Sequence, residues 1–225
     1  LKMANLLFSL NELSRGRAMI MVGGGGAVLQ SIGGKRDRMI RRTRECLEIL
    51  KGASPDKMMN YNGELYKVWG YQPKWYTDTP PLIYFGSNHP QSRKLSTELA
   101  DGLITSDFVV PLMKDFIDKA HAELKAAGRS TRDFRISNFW AWHIKADREK
   151  SMYEARRELV FRGELLPPKY DMLPYVTPEE RQLVIDKWQN FAKAFWTRTG
   201  KIEDVPESIV NRLIAACSSA GDLAD

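Results

Sequence analysis

Three stretches of this sequence place small or polar residues between an apolar run and a helix-forming run. They are Gly23 to Gly26, Ser87-Asn88-His89-Pro90, and Thr105-Ser106-Asp107. Backbone N–H groups at such strand-to-helix turns favour anions, phosphate among them. Glycine adds room for a ligand to approach the backbone closely. In parallel βα folds ligands bind at the C-terminal ends of strands. Three such ends on neighbouring strands would therefore build a site for a phosphate-bearing cofactor. The glycine run is neither G-x-G-x-x-G with an acidic residue about 20 positions on nor G-x-x-x-x-G-K-[ST], so the dinucleotide and Walker fingerprints do not apply. Taken alone, the run reads equally as a flexible turn.

Of the three histidines, His89 sits at a strand-to-helix turn, where ligand contacts concentrate. The commoner role there is to satisfy local backbone groups. His121 lies in the charged run DKAHAELK and reads as a solvated face. His143 alternates with Trp142 along a strand and faces away from Trp140 and Trp142, as a core histidine or a pocket group. No H-E-x-x-H or other metal spacing and no G-x-S-x-G elbow occurs, so neither a metal site nor a serine nucleophile is expected, and no catalytic residue is identified. Two aromatic groups, Trp69, Tyr71, Trp75 and Tyr76, then Phe139, Trp140 and Trp142, could stack on bases. More often such residues are core or cover a barrel end. The cations Lys35, Arg36, Arg38, Arg41, Arg42 and Arg44 interleave with Glu45 and Glu48, which reads as a solvated helical face.

The elements that must position these residues follow from periodicity. Met3, Leu6, Leu7, Leu10 and Leu13 recur at helical spacing, and Ser14 to Gly16 end that helix. Buried strands are expected at 18–22, 82–85, 103–105 and 135–144. Helices are expected at 36–51, 90–100, from Ser106 or Asp107 as cap through Lys125, and at 147–162, 178–198 and 206–217. Asn62-Gly63 marks a short hairpin. Strand and helix alternate at the spacing of parallel βα units, as in part of a (β/α)8 barrel or of a doubly wound sheet.

Composition narrows the function classes. The 225 residues are 43% apolar and 28% charged, which excludes disorder. Net charge is +6, with no basic tract dense enough for a nucleic-acid arm. The longest apolar stretch, Ala18 to Leu29, holds four glycines and falls short of the ~20 residues of a membrane span. Cys46 and Cys217 form no disulfide framework, so a reducing, cytoplasmic compartment is expected. The uncapped start at Leu1 and the close of the sequence at SSAGDLAD lead us to expect a chain cut at both ends.

LNELSRGRAMIMVGGGG resembles a segment of the luciferase-like monooxygenase superfamily in which a helix ends at Ser-x-Gly-Arg and a strand enters a glycine-rich loop. RRTRECLEILKG followed by YNGELYKV is similar to that family's Arg-x-x-Glu helix and hairpin. PPLIYFGSNHPQSRKLSTELADGLITS resembles its proline-rich entry, strand, small-residue turn, helix, and Ala-Asp-Gly before the next strand. The likeness covers roughly residues 1–145. It implies a (β/α)8 TIM barrel, here about strands four to seven in one domain, with an insertion around 53–80 and a helical region at 147–225. It also implies FMN or the deazaflavin coenzyme F-420 as cofactor. By position, Gly23, Gly24 and Gly25 would face the ring or its side chain. Ser87, Asn88 and His89 would approach the cofactor tail, and Thr105 and Ser106 would bind phosphate. Relatives often have Gly-Gly-Pro where Asn88-His89-Pro90 stands, so contact there is not expected to be through backbone alone. Gly26 replaces an acidic residue of some sugar-phosphate dehydrogenases, which argues against that activity.

The activity implied is hydride transfer between coenzyme F-420 and a carbonyl or pterin substrate. The alternatives are an FMN-dependent monooxygenase and a cofactor-free binding or assembly subunit. The expected partners are a small-molecule substrate and, as an open alternative, a second copy of the chain. Neither nucleic acid nor a membrane is expected.

Overall fold

Ala4, Leu7, Phe8 and Asn11 recur at helical spacing and form the buried face of α1 (Lys2–Leu13). The computed structural model describes every residue except 25–28, 30, 31, 36, 75–78, 87, 109, 163–174 and 223–225. Arg15 and Gly16 take positive φ after α1, and a Cβ on Gly16 would press on Thr79 at 2.9 Å. Buried Asn11 then fixes the entry to the first strand. Its Nδ2 donates to the Thr79 carbonyl at 2.8 Å, and its Oδ1 accepts from the Ala18 N–H at 3.2 Å.

The remaining elements are, in order, β1 (Met19–Gly23), α2 (Met39–Gly52), β2 (Met59–Asn62), β3 (Lys67–Tyr71), β4 (Leu82–Gly86), α3 (Pro90–Leu99), β5 (Gly102–Ser106), α4 (Val110–Ala126), β6 (Arg135–Phe139), β7 (Ala141–Ile144), α5 (Arg148–Glu158), a 3-10 turn (Leu159–Phe161), α6 (Pro178–Asp186), α7 (Trp188–Trp196), α8 (Glu207–Cys217) and β8 (Ser218–Gly221). They divide into two compact units, residues 1–105 with 115–137, and 106–114 with 138–225.

The first unit carries a sheet in the order β1-β4-β5-β6, with β1, β4 and β5 parallel. The strands join in chain order without reversal. This is the winding of a (β/α)8 barrel, not the switch point of a doubly wound sheet. Alternation sends Ile83 and Phe85 into a core with Leu7, Leu47, Leu50 and Leu95. The opposite face leaves Met19, Met21 and Leu82 exposed. Ala100-Asp101-Gly102 shapes the entry to β5. Asp101 accepts the Ile83 N–H at 2.9 Å and Lys51 Nζ at 2.7 Å. A Cβ on Gly102 would meet the Arg135 carbonyl and the Tyr84 ring, each at 2.8 Å.

The β2–β3 hairpin differs from the short one expected. Its turn spans Gly63 to Tyr66, with Gly63 N–H bonded to Tyr66 O at 2.9 Å. Glu45, read from sequence as solvated, is 1% exposed. Its carboxylate accepts the N–H groups of Glu64, Leu65 and Tyr66 at 2.9–3.0 Å. That acceptor role, which no cation on the helix can fill, draws it inward. The neighbouring arginines are paired, Arg41 with Glu64 at 3.2 Å and Arg44 with Glu98 at 2.5 Å.

In the second unit β7 and β8 pair in parallel, Ala141 opposite Ser218 through Ile144 opposite Gly221. Leu159, Val184, Phe191, Leu213 and Ile214 are the centre of its core. Two expectations are corrected here. The strand expected at 135–144 breaks at Trp140, because the chain leaves one sheet and pairs next with β8; the Trp140 indole donates to Ser219 Oγ at 3.1 Å. The helix expected at 178–198 breaks at Lys187, where φ and ψ are −100° and 11°.

Candidate functional site

Gly23 closes β1 and Gly86 closes β4, and the two are register partners. Neither has positive φ, so backbone dihedrals do not demand glycine here. Size does. A Cβ on Gly23 would meet nothing nearer than the Gly86 carbonyl at 4.0 Å, so it would project into open space at the strand end. A Cβ on Gly86 would press on Met21 Sδ at 3.1 Å, and one on Gly24 on Met39 Sδ at 3.0 Å. Methionine side chains thus stand close to Gly86 and Gly24, Met21 from the exposed face of the sheet, while Gly23 keeps its own side clear. Gly25 lies outside the described residues.

After Gly86 the chain turns into α3. Ser87 lies outside the described residues. Asn88 is half-buried and His89 exposed. His89 is the N-cap, in extended conformation, and Pro90 occupies the first turn, where a missing N–H costs nothing. The first-turn amides of α3 therefore open just beyond the end of β4. The helix is held firmly. Arg93, 8% exposed, forks onto Glu123 with contacts of 2.8–3.2 Å and lies 5.2 Å over the Phe116 ring. Arg129 donates to the Thr97 and Ala100 carbonyls at 2.6 and 2.7 Å.

At the end of β5 the two expected phosphate residues part. Thr105 is 1% exposed and its hydroxyl donates to the Ser137 carbonyl at 3.2 Å, so its side chain is engaged within the sheet. Ser106, half-buried, is the last residue of β5.

Neither Ser106 nor Asp107 is the cap of α4, which starts at Val110. Asp107 has φ of 60° and its carboxylate accepts from Arg162 at 2.8 Å. Asn138 holds this turn by bonds to both the N–H and the carbonyl of Phe108. Arg162 begins a chain of charges in the second unit. Glu158 lies 3.5 Å from it, and His143 Nε2 lies 3.8 Å from Glu158. Glu154 then stands 3.9 Å from His143 Nδ1 and 3.2 Å from Lys145. Burial pushes the His143 imidazole below its usual range against the pull of Glu158 and Glu154, with Arg162 adding to the lowering. His143 is thus a core residue in an ion network, one of its two sequence readings. The Asp107–Arg162 pair had no sequence signal, because its partners lie 55 residues apart.

The aromatic groups are less buried than the core reading expects. Trp69 is 69% exposed, Trp142 72% and Phe139 67%. Trp75 lies outside the described residues. Among the described residues no group of three His, Cys, Asp or Glu could hold a metal ion, and no helix is long and apolar enough to cross a membrane.

A family model described as luciferase-like monooxygenase matches residues 1–218. A 5,10-methylenetetrahydromethanopterin reductase from Archaeoglobus fulgidus is 31% identical over 164 residues, which is 70% of this chain and 48% of that protein. The enzyme of the same name from Methanolobus tindarius is 25% identical over 162 residues, with the same shares covered. The chain thus spans about half the length of these curated relatives. Among solved structures, the coenzyme F-420-dependent tetrahydromethanopterin reductase from Methanopyrus kandleri superposes with a TM-score of 0.72 at 20% identity, over 98% of this chain and 66% of that one. A coenzyme F-420-dependent secondary alcohol dehydrogenase in complex with a cofactor–acetone adduct gives 0.63 at 19% identity, over 96% and 66%. An EDTA monooxygenase from Chelativorans sp. BNC1 gives 0.59 at 17% identity, over 98% and 60%.

Proposed function

The chain belongs to the luciferase-like monooxygenase family, and from that premise we propose that it serves a coenzyme F-420-dependent oxidoreductase that moves a hydride between the deazaflavin and an organic substrate of carbonyl or pterin type. The observation that carries this reading is the registered pair Gly23 and Gly86 at the ends of parallel strands, with open space above Gly23. A flat ring needs a strand end clear of side chains, which Gly23 offers, while Met21 stands beside Gly86. The relatives favour the deazaflavin: two are named as methylenetetrahydromethanopterin reductases, and one solved neighbour holds a cofactor–acetone adduct. An FMN-dependent monooxygenase is the second reading, favoured by the likeness to the EDTA monooxygenase.

When bound, the deazaflavin supplies the hydride chemistry. The residues of this chain bind and orient. Gly23 and Gly24, with Gly25 carried over from the resemblance, give the ring its approach. The first turn of α3, with Asn88 and His89 just before it and Ser87 carried over from the resemblance, would give donors to an anionic tail. The resemblance adds Thr105 and Ser106 at the end of β5, where the Thr105 hydroxyl is engaged by the Ser137 carbonyl. Arg93 on Glu123 keeps α3 in place, so little ordering is left for the binding step. Both cysteines are free thiols, in keeping with a cytoplasmic enzyme.

The test is a fluorescence-quenching titration of the full chain with coenzyme F-420 and with FMN, repeated on Gly23→Val. Tight deazaflavin binding is expected, weakened about tenfold or more in the variant, since filling the approach costs contacts and adds strain. Because the added side chain meets open space, the variant should keep the parent unfolding temperature. Binding of FMN alone would move the assignment to the monooxygenase reading. Binding of neither would leave a scaffold without cofactor, and equal binding by Gly23→Val would refute this placement of the ring.

A further inference from the structure

The second unit holds a cavity of about 360 Å³ that none of the chemistry above uses. This is at the small end of the roughly 300–1,000 Å³ range of small-molecule sites. Ile202, Val205 and Val210 make its apolar floor, and Arg156, Lys201, Thr199 and Glu207 stand in its wall. Arg156 is mostly buried, with a side chain 18% exposed. Its Nε donates to the Gly200 carbonyl at 3.2 Å, which fixes the plane of the guanidinium. The two terminal nitrogens have only loose partners, Glu207 at 3.6 Å and Glu149 at 3.9 Å. Those carboxylates are 75% and 86% exposed, and pairs of that kind contribute little.

The wall is also rigid. Arg198, Gly200 and Asp204 all have positive φ, so the loop is wound tightly. A Cβ on Gly200 would overlap the Tyr153 ring, so the loop packs directly on α5. Asn190 and Lys193 of α7 bind Glu203, at its carbonyl (2.8 Å) and its carboxylate (2.6 Å). A fixed guanidinium whose edge meets exposed carboxylates only at 3.6 and 3.9 Å, a second cation and an aliphatic floor match one kind of ligand.

We propose that this cavity binds a small monocarboxylate with an aliphatic body, its carboxylate on Arg156 and Lys201 and its chain on Ile202, Val205 and Val210. A guanidinium meets a carboxylate through two parallel hydrogen bonds, a geometry that neither exposed glutamate achieves here. With two cations against the single exposed carboxylate of Glu207, the wall favours a carboxylate over an aliphatic amine. The site is independent of the cofactor reading and stands if that reading fails.

Saturation-transfer NMR on the full chain with hexanoate tests this, with hexylamine and inorganic phosphate as companion probes. Hexanoate should bind and hexylamine should not. Lys201→Glu, a change at an exposed position that leaves the core untouched, should weaken hexanoate about tenfold or more through like-charge repulsion. Val205→Phe should abolish binding by filling the floor without altering charge. Absence of hexanoate binding, or binding that both variants leave unchanged, would overturn the proposal. Displacement of hexanoate by inorganic phosphate at equal concentration would overturn the assignment of ligand class, because the floor would then contribute nothing.

Discussion

Replacing Glu45 should unfasten one hairpin turn and nothing else. Its buried carboxylate accepts three backbone N–H groups, from Glu64, Leu65 and Tyr66. A hydrogen bond to a charged group contributes about 1.5–3 kcal/mol net. The turn is at the surface, with the Glu64 side chain 50% exposed, so water can replace part of what Glu45→Ala removes. The lower bound therefore applies, and three bonds give about 4.5 kcal/mol for Glu45→Ala. Glu45→Gln keeps one oxygen able to accept two of the N–H groups, but turns its own NH₂ against the third; about 2 kcal/mol is expected.

With two compact units in the chain, a single unfolding midpoint would blur this local effect. Amide hydrogen exchange reads it directly. Protection of the amides at 64–66 should fall about a thousandfold in Glu45→Ala and about thirtyfold in Glu45→Gln, at 1.4 kcal/mol per factor of ten. Protection in β4 and β5 should stay at the parent level. Unchanged protection at 64–66 in Glu45→Ala would refute the reasoning. So would an equal loss in every element, which would make Glu45 a general core residue instead of a turn anchor.

Other outcomes follow from the second unit. Arg162→Ala removes the guanidinium beside the Asp107 carboxylate, whose side chain is 7% exposed, so it should cost about 3 kcal/mol, and Asp107→Asn added to it should recover part of the loss; thermal unfolding of the two variants against the parent checks this, and an unaltered Arg162→Ala contradicts it. His143 is held below its usual 6.5 by burial, although Glu158 and Glu154 pull it up. Above pH 6.5 both folded and unfolded chains carry it neutral; below, only the unfolded chain takes the proton, so stability should decline as pH falls from 6.5 towards the folded value. His143→Gln should remove that component, measured as the difference between urea midpoints of the two proteins from pH 7.5 to 5, and identical slopes would speak against it. Burial pushes the Cys217 thiol up to about 12 and raises Cys46 as well, so Ellman's reagent should label the native protein slowly and both thiols only after denaturation; rapid native labelling of two thiols would contradict the burial.

The winding of the sheet was legible because local signals agreed. Apolar runs ending in small residues located β1, β4 and β5, and Pro90 located the start of α3 to the residue. The resemblance pointed to the same strand ends, and the glycines that close two of them are register partners. What escaped depends on pairing between distant residues. Ser218-Ser219-Ala220-Gly221 has no β-forming side chain and becomes a strand only because β7 supplies its hydrogen bonds. Glu45 among arginines reads as solvated until the hairpin turns its amides towards it.

Thr105 and Ser106 are alike on the page, yet strand alternation commits the first hydroxyl to Ser137 and leaves its neighbour at the end of the strand. Periodicity, caps and turn residues act within a few positions along the chain, so most elements and their order were legible in the residues themselves. Only the fold shows which hydroxyl is engaged, which charges are buried against one another, and where the cavity of the second unit opens. Those outcomes depend on burial and on hydrogen-bond partners that come together only when the chain is folded.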